Sequence, residues 1–535
     1  MSAQGRRGRL IGAACLGALL SACQPRVVEV QVHLVVAACQ SPQPLSGATH
    51  LKLRVLGEGL TEPLETTASS SASEIKVADI PAGKGRVVEV RAYDADPAGG
   101  GRVVAIGRSL PVEIPSQVPA DRAPITLNVF VRRVNSFTPP SSVDNPTVCG
   151  SLAHARAGHT ATLLADGRVF LAGGYTASGG TSRTALQTTE LFDPATGTFA
   201  AGPELGLINN QSLFTPRARA FHTATLLEPS GQVLLWGGEE YSSGDVNGSA
   251  PALRADGLLF DGETKSFLEA PQGASARSHH SAARDANGKV LVVGGRTRNQ
   301  SSSQLEPADK VEWYDPTTNR SSVVEGAVLP RVDASVSAVQ GGKFIAVAGG
   351  SNGTVLQDEV EFFQYVGTAF SKVTTSTPPR LRETRRSAAV ASFRETNDLL
   401  LVGGYTDPTQ VMPLASSEIV TTKDSFRVSE GPAVAPARGD ICAALLLDGR
   451  VLMMGGRTVD EFGITRSDAT VQVIVPQVSG PPTALGKVDL QKPRYFHTCT
   501  TMSDGTVLLA GGVSETNGTF QVLPDVQIYT PDPVD

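Results

Sequence analysis

An apolar run that ends in a glycine pair, Gly167 to Gly174 at its first occurrence, returns six more times in this chain. The pairs are Gly173-Gly174, Gly237-Gly238, Gly294-Gly295, Gly349-Gly350, Gly403-Gly404, Gly455-Gly456 and Gly511-Gly512, and successive pairs fall 52 to 64 residues apart. Self-similarity at such a period means an array of equivalent supersecondary units, each too small to bury its apolar face alone. A chain built this way folds by stacking its repeats, not around one irregular core.

Aligned on the glycine pairs, the repeats share four parts. An Arg followed by small residues and often His-Thr opens a first strand, as in Arg156 to Thr160, Arg219 to Thr223 and Arg494 to Thr498. A tight turn follows, such as Asp166-Gly167, Asn287-Gly288 or Asp504-Gly505, whose residue types tolerate the positive φ of a two-residue hairpin. The apolar second strand then runs into the glycine pair. After a variable polar loop comes a third strand with an aromatic-Asp signature (Phe192-Asp193, Phe260-Asp261, Tyr314-Asp315), and a fourth strand near Phe199, Phe267, Phe370 and Phe426. Four antiparallel strands per unit make a propeller blade.

This order resembles the kelch repeat over about 400 residues, with Phe where the fourth strand of that family usually carries Trp. The resemblance implies an all-β fold: a seven-bladed kelch-type β-propeller over residues 134–535. The seventh repeat stops after its third strand, at Tyr529. Asn135 to Thr138 resembles the fourth strand at Gly197 to Ala200, so a closing strand is expected around 134–139, because an open ring would expose an unpaired edge.

Ahead of the repeats, residues 24–133 carry six apolar or alternating stretches separated by turn residues, and no helical period. They read as a small immunoglobulin-like β-sandwich serving as a spacer. Residues 1–22 form a leader: Arg6, Arg7 and Arg9, then the short apolar run Leu10 to Leu20, too short for a permanent span. Leu20-Ser21-Ala22-Cys23 resembles the bacterial lipoprotein signal. That resemblance implies lipidation of Cys23 and export to a membrane-anchored place in a bacterial envelope, on the outer membrane, facing the periplasm or the surface. The cysteines that remain in the mature chain, Cys39, Cys149, Cys442 and Cys499, lack metal-type spacing and allow three disulfide pairings. Cys442 and Cys499 stand one position out of register in equivalent strands, which argues against that pair.

A net charge of −6 and no basic run beyond the leader exclude nucleic acid as a partner. Antiparallel order places the long second-to-third loops on one face and the Asp-Gly turns on the other, and long loops on a rigid ring are where binding sits. Two sets of candidate ligand-binding residues lie on that face. Arg156, Arg219, Arg277, Arg331, Arg438 and Arg494, with Arg385 or Arg386 in the fifth repeat, either ring the axial mouth, where guanidinium groups suit carboxylate or phosphate, or bond backbone carbonyls between blades. Directly behind the glycine pairs, where the repeats differ, stand Tyr175, Glu239, Arg296, Ser351, Tyr405, Arg457 and Val513, a set suited to carbohydrate or an anionic peptide.

His159, His222, His280 and His497 read as structural hydrogen-bonding residues, not metal ligands. Galactose-oxidase-like copper enzymes resemble this fold but use a Tyr-His dipeptide, and this chain has none; a sialidase-like repeat is missed by one residue at Ser243 to Gly248. No catalytic residue, metal or cofactor is expected. The sequence favours a binding or scaffold protein that engages protein or glycan, against the alternative of an envelope carbohydrate-active or sialic-acid-processing enzyme with an Arg-lined axial pocket.

Overall fold

The computed structural model describes residues 27–534 apart from 37, 72–73, 117–124, 179–181, 209–210, 213–216, 242–250, 395, 424–425, 478–480 and 517. The expected leader and Cys23 therefore lie outside the described residues, as does all of Ser243 to Gly248.

Eight strands from Val27–Val36 to Ile125–Arg133 form the N-terminal domain. In one half, Val27–Val36 lies between Glu74–Pro81, antiparallel, and Ile125–Arg133, parallel. In the other, His50–Leu56 lies between Leu64–Ser69 and Gly83–Tyr93. The halves join where Ala105 and Ile106 pair with Arg133 and Arg132, and one core drawn from both (Val32, Leu53, Val90, Val129) fills the space between them. The Leu64–Ser69 strand is absent from the sequence reading because its side chains are nearly all exposed. An edge strand needs no apolar face.

Seven blade sheets follow, from Thr160–Leu163 at the inner edge of blade 1 to Val526–Thr530 in blade 7; six have four strands, and that of blade 2 is extended to six by Leu207–Ile208 and Gln211–Ser212. Each second strand, such as Val169–Ala172, is buried on both faces. Phe170 and Ala172 join the core shared with blade 2, where the Phe170 and Phe260 rings stack at 3.8 Å, while Val169 and Leu171 join the core shared with blade 7. This two-sided burial is why the second strands read as unbroken apolar runs instead of alternating ones.

The glycine pairs fasten neighbouring blades. Gly173 has φ 59°, and a Cβ there would lie 2.4 Å from the Arg219 carbonyl oxygen of blade 2. That same carbonyl accepts from the Gly174 amide at 2.9 Å. Equivalent bonds recur around the ring, ending with the Gly512 amide on the Arg156 carbonyl.

Ser136–Thr138 supplies the fourth strand of blade 7, with Phe137 opposite Tyr529 and their rings 5.1 Å apart. The N-terminal domain rests on the tight-turn face. Leu110 lies against Gly167, Arg108 against Gly505, and the Asn128 amide donates to the Ala195 carbonyl at 3.3 Å. Among the described residues the domain leaves the long-loop face clear.

Two disulfides are present. Cys39–Cys149 ties the first domain to the segment that leads into blade 1. Cys442–Cys499 joins the innermost strands of blades 6 and 7, correcting the expectation drawn from register. Strands of adjacent blades converge at the axis without hydrogen-bonded pairing, so an offset of one residue does not separate them; their Cα atoms are 6.1 Å apart, within disulfide range.

Candidate functional site

The seven repeat arginines, Arg385 being the one in blade 5, are no more than 3% exposed. In six blades the guanidinium donates to the carbonyl of the first glycine of its own pair, at 2.8 Å for Arg156 to Gly173 and 3.0 Å for Arg494 to Gly511. In five it also meets a third-strand carboxylate: Glu190, Asp256, Glu312, Glu361 or Glu418. Arg438 bonds Ala435 and Gln472 instead. The guanidinium groups thus hold each blade's first strand to its glycine turn and do not ring the mouth. Burial of their charge pulls Arg219 and Arg494 down to about 10.

The histidines three residues on join the blades. Nε2 of His222 lies 3.0 Å from the Thr160 hydroxyl of blade 1, His280 3.1 Å from Thr223, and His159 3.0 Å from Thr498 of blade 7. Burial beside an arginine holds all four imidazoles well below the usual range, to about 3 in His280 and His497. They are neutral structural groups.

Two residues after each arginine the backbone turns left-handed. Gly158, Phe221, His279, Asp333, Ser387, Asp440 and Phe496 all have φ between 51° and 59°. Their backbones link from blade to blade: Gly158 N–H donates to Phe496 C=O, Phe221 to Gly158, His279 to Phe221, and so on to Asp440 on Ser387, at 2.8 to 3.5 Å. These residues form a collar around the axis at the long-loop end. Non-glycine residues held at positive φ store strain, and such strain gathers at functional sites. Sequence reasoning missed the collar because its seven positions carry five residue types with no common chemistry. The detectable signal is their constant offset from the arginine.

The residues behind the glycine pairs form a second tier around this collar. Each is bridged to the residue that follows an arginine: Tyr175 to Ala157, Glu239 to Ala220, Arg296 to Ser278, Ser351 to Val332, Tyr405 to Arg386, Arg457 to Gly439 and Val513 to Tyr495. They are buried or half-buried, not solvated.

The two tiers divide the mouth into unlike halves. Over blades 7, 1 and 2 it is aromatic: Tyr175, Phe221, Tyr241, Tyr495, Phe496 and Phe520 pack together, and the Arg183 guanidinium lies 4.9 Å over the Tyr175 ring. Phe221 meets Phe496 edge-on at 5.2 Å and stacks on His279 at 4.1 Å.

Over blades 3 to 6, with Glu239 of blade 2 and Glu515 of blade 7 at its borders, it is charged. His279 lies between Asp333, 3.3 Å from Nδ1, and Glu239, 3.7 Å from Nε2. Burial disfavours the imidazolium, but hydrogen bonds and charge from these two carboxylates prevail and lift His279 to about 9. The same contacts overcome desolvation to hold Glu239 at about 2 and Asp333 far below the carboxylate range. Arg386 also bonds Asp333, and Ser278 and Tyr241 donate to Glu239. Arg296 adds its charge near Asp333. Arg457 faces Glu515 at 3.5 Å and lies over the Tyr495 ring, while the Ser351 hydroxyl accepts from the Gly353 amide inside its own loop.

Asp440 differs. Its carboxyl accepts from the Tyr405 hydroxyl at 3.0 Å, and burial together with the Asp333 charge pushes it up to about 6.

Outside the mouth, three adjacent loops raise apolar tips into solvent: Val355 in blade 4, Val411 and Met412 (56% exposed) in blade 5, and Phe462 (78% exposed) with Ile464 in blade 6.

No family model matches the chain. It is 27% identical over 235 residues to mouse multiple epidermal growth factor-like domains protein 8, a stretch that is 43% of this chain but only 8% of that protein. Among solved structures it is similar to a fungal alcohol oxidase of the AA5 family in complex with copper, at 18% identity and a TM-score of 0.53, covering 71% of this chain and 75% of that one. The likeness is one of fold, a galactose-oxidase-like propeller. The residues at this mouth do not fit a copper site. They offer one imidazole, with both nitrogens facing carboxylates, and the four described cysteines are all in disulfides. Among the described residues no group of three His, Cys, Asp or Glu side chains is placed to hold a metal ion.

Proposed function

We propose that this protein is a binding or scaffold module whose long-loop face engages a protein partner, and that it acts as an exported protein anchored to a bacterial envelope through lipid on Cys23. The observation that carries the reading is the unlike treatment of the two propeller faces. The tight-turn face carries the N-terminal domain over blades 7 and 1, while the opposite face shows an apolar crescent over three adjacent blades. Exposed Phe, Met and Val on neighbouring loops form the kind of patch that marks protein contacts. The alternative, an enzyme with an Arg-lined pocket, loses support because the repeat arginines are buried on backbone carbonyls.

Screening the lipid-free protein against peptide and glycan arrays tests the reading. Capture of a peptide ligand that drops at least tenfold in Phe462→Ser and Met412→Ser is the expected result. Capture of glycans alone, untouched by those changes, overturns the choice of a protein partner. Turnover of a sugar substrate overturns the non-catalytic role. Palmitate labelling abolished by Cys23→Ser is the expected result for the anchor, and unlabelled wild-type protein overturns it.

A further inference from the structure

Three carboxylates at the mouth have basic partners: Glu239 and Asp333 face His279, Asp333 also bonds Arg386, and Glu515 faces Arg457. Asp440 has no ion-pair partner among the described residues. Its Oδ2 accepts from Tyr405, and its Oδ1 has no protein partner among them. It stands on the collar next to Phe496, and beyond Phe496 comes Gly158, whose missing Cβ admits the Phe221 ring. A half-buried carboxylate on the same collar as two phenylalanine rings is an arrangement for an organic cation, which gains from the charge and from the ring faces together. A metal ion would need more donors of its own kind than the mouth brings together.

We propose that the axial mouth binds a primary ammonium group, with Asp440 as its anionic anchor and Phe496 and Phe221 as its aromatic wall. This deepens the binding role given above to the long-loop face and rests on it. The groups facing Asp440 are Tyr405, which donates to it, Arg457 and His279, which favour its charge, and Asp333, which opposes it. With Asp440 at about 6, an ammonium ligand meets a charged anchor at pH 7.5 and a mostly neutral one at pH 5. Affinity then falls about tenfold between those pH values, since a carboxyl one unit below its pKa is roughly one-tenth ionised. The ammonium group can come from a lysine side chain of a partner protein or from a free amine, and the two sources are separable.

The test is calorimetric titration of the intact protein with acetyl-Gly-Lys-Gly-amide, with its Nζ-acetylated form, and with n-butylamine. Expected are saturable binding of both amines at pH 7.5, about tenfold weaker binding at pH 5, none of the acetylated peptide, and loss of at least tenfold in Asp440→Asn. Tighter binding of the peptide than of butylamine assigns the source to a protein segment, and equal binding assigns it to a free amine. Tyr405→Phe removes the hydrogen bond that favours ionised Asp440, so it moves the pH midpoint of binding upward while leaving the fold intact by circular dichroism. The proposal is overturned if neither amine saturates at pH 7.5, if the acetylated peptide binds as well, or if Asp440→Asn binds like the wild type. Phe462→Ser in the same titration separates the two readings: amine binding that survives while array capture is lost confirms two distinct contacts, and array capture without amine binding removes only the present one.

Discussion

Arg277 and Glu312 show what a repeat arginine does to stability. The Glu312 side chain is 1% exposed and meets the Arg277 guanidinium, with the Ala274 and Ser275 amides as further donors. Removing one member of a buried pair strands the other's charge, so Arg277→Met is expected to destabilise the propeller by about 3–5 kcal/mol, and adding Glu312→Met to recover most of that. Arg438, whose nearest carboxylate is Asp468 at 3.7 Å, should lose less when changed to Met. Urea midpoints of the three variants check this order. At the mouth the sign is reversed for Asp440. Its folded pKa of about 6 lies above the unfolded 3.8, so its ionisation opposes folding, and the penalty is fully present above pH 6. Asp440→Asn is expected to raise the melting temperature at pH 7 and to do so less at pH 4. Because the same change removes the proposed ammonium anchor, greater stability with weaker binding is its combined signature. His279 works the other way. Raised from 6.5 to about 9, it adds stability that is whole below pH 6.5 and fades as pH rises through 9, on the order of 1–3 kcal/mol. His279→Gln should flatten the stability profile between pH 6.5 and 9.5.

Among elements, the first strands show where an inter-blade link can be exchanged. Three interfaces use a Thr hydroxyl against a His, but in blade 6 the Thr position is Cys442, bonded to Cys499, and the ring of His497 is left without a hydrogen-bond partner. The disulfide closes a loop of 57 residues. Chain-entropy arguments give about 4 kcal/mol as its ceiling, so Cys442→Ala with Cys499→Ala is expected to cost roughly 2–4 kcal/mol. Cys442→Thr with Cys499→Ala restores a hydroxyl opposite His497 and should regain about 1 kcal/mol of that, read as the difference between the two melting curves.

The same elements show what the sequence made legible. Glycine pairs, Asp-Gly turns and unbroken apolar second strands each have one physical cause, close blade contact, positive φ or two-sided burial, and so they can be read. The collar resisted reading because backbone geometry, not side-chain type, makes Phe221, His279 and Asp440 equivalent. The Cys442–Cys499 bond resisted because register within a sheet says nothing of distance between sheets. At the candidate site, Tyr175, Glu239, Tyr405 and Arg457 were found by their variation, while their partners His279, Asp333 and Asp440, nearer the axis, were not.

At the scale of the molecule, closure rests on one short strand. Phe137 is buried against Tyr529 in blade 7, and the Tyr529 hydroxyl donates to the Asn135 side chain at 3.1 Å. Phe137→Ala is expected to cost about 3–5 kcal/mol by cavity formation. Because the strand is the ring's closing clasp, the loss should appear in the unfolding of all seven blades together; a calorimetric trace in which only the N-terminal domain shifts would count against this. The clasp also sets a clock. The ribosome makes Ser136–Thr138 first and their pairing partner last, with 394 residues between Asn135 and Tyr529. At synthesis rates of about 5–20 residues per second that is a wait of roughly 20–80 s. Through that interval the nascent chain holds an unpaired strand, so the propeller cannot seal before its last blade has been made, and any truncated product is left open-edged for proteases to find.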